Sequence, residues 1–296
     1  MKAISQLHFA ALLAAFVYLP GTGWCQLPQT PGSFRFAVIG DTGTGGRAQR
    51  EVGELLDALR QKLDFRTVLM LGDNLYGSQT PADFRAKFER PYAELLEAGV
   101  RFYAVLGNHD QPSQRSYPRF NMDGRSYYSF QPYPNVRFIG LDSNRMDRAQ
   151  LRWLEGELAE AREDWKIVFF HHPIYSSGAR HGSNLALRGA LEPLLIKHGV
   201  ALALAGHDHF YERIKPQNGV YYFVAGGAAK LRAGNVRKSD ITAKAFDSDH
   251  SFLVMEIHGG ELHFQAVSRT GKTVDSGVIP KPSAAALVVA KDTTGK

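Results

Sequence analysis

Five apolar runs in this 296-residue chain stop abruptly, and every stop carries an aspartate, asparagine, tyrosine or histidine. The most informative run is Thr67-Val68-Leu69-Met70-Leu71, which is followed by Gly72-Asp73-Asn74-Leu75-Tyr76. It reads as a buried strand. A glycine at its end permits a sharp turn and a close approach of backbone, and Asp73 and Tyr76, three residues apart in such a turn, can face one object. The other four runs cover residues 34–39, 102–106, 165–170 and 201–205. They end on Gly40-Asp41-Thr42-Gly43, Gly107-Asn108-His109-Asp110, His171-His172-Pro173 and Gly206-His207-Asp208-His209. In α/β sheets ligands bind beyond the carboxyl ends of the strands. Turn chemistry does not require histidine or aspartate at five strand exits, so the set points to a site.

Between these runs the periodicity changes. Val52, Leu55, Leu56, Leu59 and Leu63 recur at helical spacing, predicting an amphipathic helix over 47–63. Further helices are expected over 82–98, with a break near Pro91, over 148–163, and around Leu187, Leu191, Leu194 and Leu195. Segments 127–130 and 136–141 read as paired strands. After residue 209 only strands are expected, at 212–215, 221–224, 252–257, 262–267 and 273–279. Alternating strands and helices in two halves, 34–106 and 136–205, argue for an α/β fold, and the closing strands suggest a sheet pair with helices outside. One domain is expected, because the candidate ligands come from both halves.

The residue types suit metal. Histidine and carboxylate serve borderline and hard ions; the only cysteine is Cys25, so soft thiolate sites are excluded. Asp41, Asp73 with Tyr76, Asn108 with His109, His171 with His172, and His207 with His209 offer some seven plausible ligands, too many for one tetrahedral ion. Asp73 is the candidate bridge between two. Asp41, Asp73 and Tyr76 bring up to three negative charges, which suits a trivalent ion such as iron(III). Asn108, His171 and His207 add no charge beyond a share of Asp73, which suits a divalent one. Two ions about 3.5–4 Å apart clamp the attacking and leaving oxygens of a phosphoryl transfer.

Taken in order, the five motifs, with Val168-Phe169-Phe170-His171 as the fourth, resemble those of the calcineurin-like metallophosphoesterases. Tyr76, three residues after Asp73, narrows the resemblance to the purple acid phosphatases, and the compact length to their small, tartrate-resistant type. The resemblance covers about residues 34–280. It implies a single domain of two packed mixed β-sheets flanked by helices, a four-layer α/β/β/α sandwich. It implies iron(III) on Asp41, Asp73, Tyr76 and His209, and a divalent iron, zinc or manganese on Asp73, Asn108, His171 and His207. His109 matches a histidine that contacts the phosphate and assists the leaving group. His181 matches a second, in a loop one residue longer than the mammalian pattern. Thr42 stands where the family often has tryptophan. The implied activity is acid phosphatase: hydrolysis of phosphate monoesters by attack of a metal-bound hydroxide, with His109 or His181 protonated in mild acid. Diesters, pyrophosphate or phytate remain as alternative substrates, and a non-catalytic metal- or partner-binding protein as a remote alternative.

The remaining features place the chain. Lys2 and the apolar run 9–19, broken by Pro20-Gly21, read as an export signal, too short to span a membrane. Cleavage after Cys25 would leave no cysteine, so neither disulfides nor a reducing compartment would be needed; an uncleaved anchor is the other reading. A secreted or periplasmic location follows, with residues 26–33 as a lead-in and 281–296 as a disordered tail. The net charge of +6 comes without a dense basic cluster, so no nucleic-acid partner is expected. A small phosphorylated substrate and no stable membrane association are expected. His172 reads as a packing or supporting neighbour. Asp110 and Asp208 read either as carboxylates orienting histidines or as turn formers, and Arg180 as a solvated loop arginine.

Overall fold

The computed structural model describes residues 26–282. The expected export signal, and the tail from residue 283 onward, lie outside the described residues. Two mixed sheets carry the fold. The first holds β1 (Phe34–Ile39), β2 (Thr67–Met70), β3 (Arg101–Ala104), β11 (Ser251–His258), β12 (Glu261–Ser268) and β13 (Thr273–Pro280), in the order β13-β12-β11-β1-β2-β3. The second holds β4 (Tyr128–Tyr133), β5 (Val136–Gly140), β6 (Trp165–Phe170), β7 (Leu202–Ala205), β8 (Tyr211–Gln217), β9 (Val220–Ala225) and β10 (Thr242–Phe246), in the order β10-β8-β9-β7-β6-β5-β4. Strands β1, β2 and β3 run parallel, as do β5, β6, β7 and β9. Their carboxyl ends therefore share an edge within each sheet.

Alternation along the central strands produces the layers. Ile167 and Phe169 of β6, and Leu202 and Leu204 of β7, join the large core between the sheets. Val168, Phe170, Ala203 and Ala205 point the other way, into a second core. There they meet Leu154 and Leu158 of α4 (Arg148–Glu160) and Leu187, Leu191 and Leu195 of α5 (Leu185–Lys197). On the outer face of the first sheet, α1 (Arg47–Leu63) buries the apolar stripe expected of it. The expected four layers, helix, sheet, sheet, helix, result from side chains of period 2 meeting helices of period 3.6.

The break expected near Pro91 is present, and one strand was not expected; both have local causes. The helix expected over 82–98 is split into α2 (Pro81–Phe84), a π-helical turn (Arg85–Glu89) and α3 (Ala93–Glu97). Pro91 has no N–H to offer the carbonyl of Lys87, four residues back. The Gln49 side-chain amide donates to that carbonyl instead, at 2.6 Å. Strand β10 was not expected. Its sequence, Thr-Ala-Lys-Ala-Phe, alternates only weakly and none of its residues is buried, so nothing marks it as a core strand, and it exists because it pairs with β8 across a bulge.

Helix α4 begins at Asp147, whose carboxylate accepts from the N–H groups of Ala149 and Gln150, both at 3.0 Å. Asp147→Ala is expected to cost about 1 kcal/mol, read as a lowered urea midpoint with unchanged slope; an unaltered midpoint would mean that this cap is dispensable.

Candidate metal centre

All seven candidate ligands meet between the carboxyl ends of the two sheets. The chain turns sharply there. Asp41, Asp73 and His207 each take a left-handed φ, at 57°, 50° and 69°. Aspartate and histidine enter that region more often than most side chains, but still uncommonly, and such strain collects at functional sites. Gly72, between β2 and Asp73, has φ 87°. A Cβ there would stand 2.7 Å from both the Gly107 nitrogen and His171 Nδ1, so the crossing of two motifs leaves room only for glycine.

The donors fall into two sets. In the first, Tyr76 Oη lies 3.1 Å from Asp41 Oδ1 and 3.4 Å from His209 Nε2, and His209 Nε2 lies 3.3 Å from Asp41 Oδ1. In the second, His171 Nε2 is surrounded by Asn108 Oδ1 at 3.1 Å, His207 Nδ1 at 3.1 Å and Asp73 Oδ1 at 3.4 Å. Asp73 belongs to both: its donor atom also lies within 4.8 Å of those of Asp41 and His209. The backbone holds the carboxylates in place. The His207 N–H donates to Asp41 Oδ2 and the His109 N–H to Asp73 Oδ1, each at 2.9 Å.

The chemistry of the donors fits cations. Asp41 and Asp73 are 0% and 1% exposed. Burial, then the charge of Asp73, pushes the Asp41 carboxyl well above its ordinary range; a cation would relieve both. Burial keeps the imidazoles neutral, lowering His207 to about 2 and His209 to about 4, with His171 also well below its usual value. Their nitrogen lone pairs are thus free. His171 Nδ1 sits 2.8 Å from the Leu71 carbonyl, which can only accept, so the proton is on Nδ1 and Nε2 faces the cluster. Burial, then the charges of Asp41 and Asp73, raises the Tyr76 phenol far above its ordinary value. Only a strongly polarising ion makes tyrosinate there. No cradle space is wasted: a Cβ on Gly206 or on Gly226 would approach Asp41 Oδ2 to 2.7 Å.

The two histidines proposed to meet substrate stand exposed beside different sets. His109 Nε2 is 4.0 Å from Asp73 Oδ2, with its ring 4.9 Å from that of Tyr76. The His181 ring is 4.2 Å from that of His207. It borders an open cleft of about 420 Å³ with Arg180, Asn184 and Leu185.

Neighbouring residues take clearer roles than their sequence context gave. His172 is more than packing: it accompanies His171 and His207 with donor atoms within 4.8 Å, and its Nδ1 lies 3.0 Å from Ser143 Oγ. Asp110 and Asp208 tie turns together and do not orient histidine rings. Asp110 accepts from the N–H groups of Gly107, Asn74 and Leu75 and from the side-chain amides of Asn74 and Gln114. Burial pushes its carboxyl up to about 7 against the pull of those donors. Asp208 accepts from Ser176 Oγ at 2.5 Å and the Gly182 N–H at 3.2 Å, pinning the loop that carries His181.

The sequence profile of the calcineurin-like phosphoesterase family matches residues 34–211, more than half of the chain. The chain belongs to the calcineurin-like phosphoesterase family. Within it, the chain is similar to curated acid phosphatases. It is 28% identical to human (Homo sapiens) tartrate-resistant acid phosphatase type 5, over 84% of this chain and 91% of that protein. It is 27% identical to purple acid phosphatase 17 of Arabidopsis thaliana, over 73% of this chain and 74% of that protein. Its fold is shared with purple acid phosphatase PPD1 from yellow lupin (Lupinus luteus) seeds, at a TM-score of 0.71 and 18% identity, covering 88% of this chain and 56% of that one. The fold is also that of GAP50, the anchor in the inner membrane complex of Plasmodium, at a TM-score of 0.74 and 20% identity, covering 88% and 94%. A calcineurin-like phosphoesterase of this kind is a metal-dependent phosphoester hydrolase with a two-metal site, and both donor sets are present in this chain.

One set of residues escaped the motif reading. Strand β9 also ends at this edge, parallel to β7. The loop after it, residues 226–237, brings Lys230 and Arg232 to the site. No motif marks them. The strand-end rule applied to a sixth strand would have pointed there.

Proposed function

We propose that this protein is an exported acid phosphatase that hydrolyses phosphate monoesters at a mixed-valence pair, iron(III) with a divalent iron, zinc or manganese. The single observation that carries the reading is the position of Asp73 between two donor sets, only one of which contains a tyrosine. Asp41, Asp73, Tyr76 and His209 would hold iron(III). Asp73, Asn108, His171 and His207 would hold the divalent ion, with His172 alongside. When bound, the pair supplies Lewis-acid polarisation of the phosphoryl oxygens and activation of water in mild acid.

The chain's own residues do the rest. Neutral His171 and His207 keep one face of the centre uncharged, while the carboxylates and Tyr76 make the other face anionic, so the two positions are electrically unlike. His109, exposed and next to Asp73, is placed to hold a proton at its ring nitrogen and release it to the departing oxygen. His181, beside His207, is placed to donate to a phosphoryl oxygen. Asp110 and Asp208 hold the turns that carry these two histidines, so that their rings reach the site in fixed positions.

His109→Ala is expected to keep both metals and to lower kcat about 10²-fold for alkyl phosphates, whose leaving groups need a proton, and much less for nitrophenyl phosphate. Equal losses on both substrates would take His109 out of proton transfer. Metal analysis of the same sample separates this from a damaged centre.

The reading itself is tested on the metal-replete chain from residue 26. Phenyl phosphate should be cleaved faster than diphenyl phosphate in mild acid, and the protein should absorb in the visible, with the band lost in Tyr76→Phe. A colourless protein that prefers the diester near neutral pH would replace this reading with a divalent-metal diesterase. The likeness to the Plasmodium anchor protein favours a second reading, a binding protein on the same fold. Metal-replete protein that cleaves neither ester would select it. Export is tested separately, by the N-terminal residue of the protein recovered outside the cytoplasm.

A further inference from the structure

The loop 226–237 is stitched into the site. The Arg232 N–H donates to the carbonyl of His209 at 3.1 Å. The far end of the loop is joined to the loop carrying His181: Ala179 N–H donates to Asn235 O at 2.7 Å, Arg180 N–H to Asn235 Oδ1 at 3.1 Å, and Arg237 N–H to Ser177 O at 3.0 Å. Two cations ride on this frame. The Lys230 ammonium lies 4.4 Å from the centroid of the Tyr76 ring. Arg232, anchored by its hydrogen bond to the His209 carbonyl, carries the second positive charge on the same loop.

Neither cation has an acidic partner among the described residues. Other half-buried arginines have acceptors, most of them carboxylates: Arg137 meets Glu163 at 2.7 Å, Arg213 meets Asp275 at 2.8 Å, Arg269 meets Glu51 at 2.7 Å, and Arg188 donates to the Ile174 carbonyl at 2.8 Å. Arg232 instead keeps its Nη1 buried with no hydrogen-bond partner. A buried guanidinium nitrogen without an acceptor is costly and calls for an explanation. Two such cations beside a centre built to receive a phosphate have one natural complement, an anion that arrives with the substrate. Arginine suits this role, since its planar fork matches carboxylate and phosphate oxygens. Arg180, on the adjoining loop at the mouth of the cleft, adds charge of the same sign.

We propose that Lys230 and Arg232 form a second anion subsite beside the metal centre, which selects phosphomonoesters whose leaving group carries a further anionic group, a carboxylate or a second phosphate. The proposal rests on the phosphoester-hydrolysis reading above. It narrows the substrate class to doubly anionic esters and assigns the selection to a loop outside the five motifs.

The test compares phenyl phosphate with 3-carboxyphenyl phosphate, whose leaving groups are similar, at low ionic strength, in the holoenzyme and in the Lys230→Gln/Arg232→Gln double variant. The expected kcat/KM ratio favours the carboxylated ester about tenfold in the native protein. It falls towards one in the double variant, and falls likewise with added salt. Arg232→Lys should restore part of the preference, which a purely structural role for the arginine would not do. Metal content and melting temperature are read for each variant. A ratio that is the same in native and double-variant protein overturns the subsite. If neither ester is cleaved, the hydrolase reading fails by itself. Calorimetric binding then decides the subsite: methylenediphosphonate binding about tenfold tighter than methylphosphonate, with the difference lost in the variant, upholds it, and equal affinities overturn it.

Discussion

Asp73→Asn is expected to empty both metal positions and to lower phosphatase activity about 10³-fold or more, because one carboxylate serves both donor sets. Asparagine is the informative replacement. It tolerates the left-handed φ of 50° that this residue adopts, so the backbone turn is kept while the charge is removed. The effect on stability should have the opposite sign in the two forms of the protein. Without metal, the native site holds two buried carboxylates close together, and the charge of Asp73 helps to push the Asp41 carboxyl upwards. Removing that charge relieves the repulsion, so the metal-free variant should melt above the metal-free native protein, by about 2–4 °C for each kcal/mol relieved. With metal, the order reverses, because only the native protein gains the stability that binding confers. Full metal occupancy in the variant, measured by elemental analysis, would refute the bridging role.

The second large effect is expected at a residue that touches no metal. Asp110→Ala should destabilise the fold by about 3–5 kcal/mol. The carboxylate closes five hydrogen bonds, three with Asn74 and Leu75 in the turn after β2 and two with Gly107 and Gln114 around its own turn after β3. Truncation leaves those donors without their acceptor, next to both Asp73 and Asn108. The loss should therefore appear twice, as a lowered urea midpoint and as weakened metal affinity at constant ligand identity. Asp110→Asn, which keeps one acceptor oxygen, should lose less on both counts. A change below about 1 kcal/mol in the alanine variant would show that water replaces the carboxylate at little cost.

The two substitutions separate what each kind of residue contributes. Asp73 is legible as a candidate ligand because it stands at a strand end with a tyrosine three residues on. Asp110 stands at an equally plausible position, and no feature of the sequence says that it faces backbone N–H groups instead of a metal. Two of its partners, residues 107 and 114, are local, but residues 74 and 75 become neighbours only because two strand exits pack against each other. Asp208 is similar: it lies between two candidate ligands and yet serves Ser176 and Gly182. His172 moved the other way, from a neighbour of a ligand to a member of the donor cluster.

Local sequence alone determined the strands that end at the site, because buried strands are apolar runs whose ends must be punctuated. It determined α1 to the residue, since a 17-residue amphipathic stripe has a single way of facing a sheet. It determined the identity of the donor atoms at five strand exits, and hence the expectation of metal. The tertiary structure decided what depends on distance between remote segments. It decided that Asp73 lies between two donor sets, that Gln49 supplies the donor missing at Pro91, and that half-exposed β10 completes a sheet edge. It brought Lys230 and Arg232, residues without a motif, to the rim of the centre. The physical reason is the same in each case. Periodicity and turn chemistry act over a few residues and leave their mark in the sequence, whereas the charge, burial and hydrogen bonding of a site are set by groups far apart along the chain.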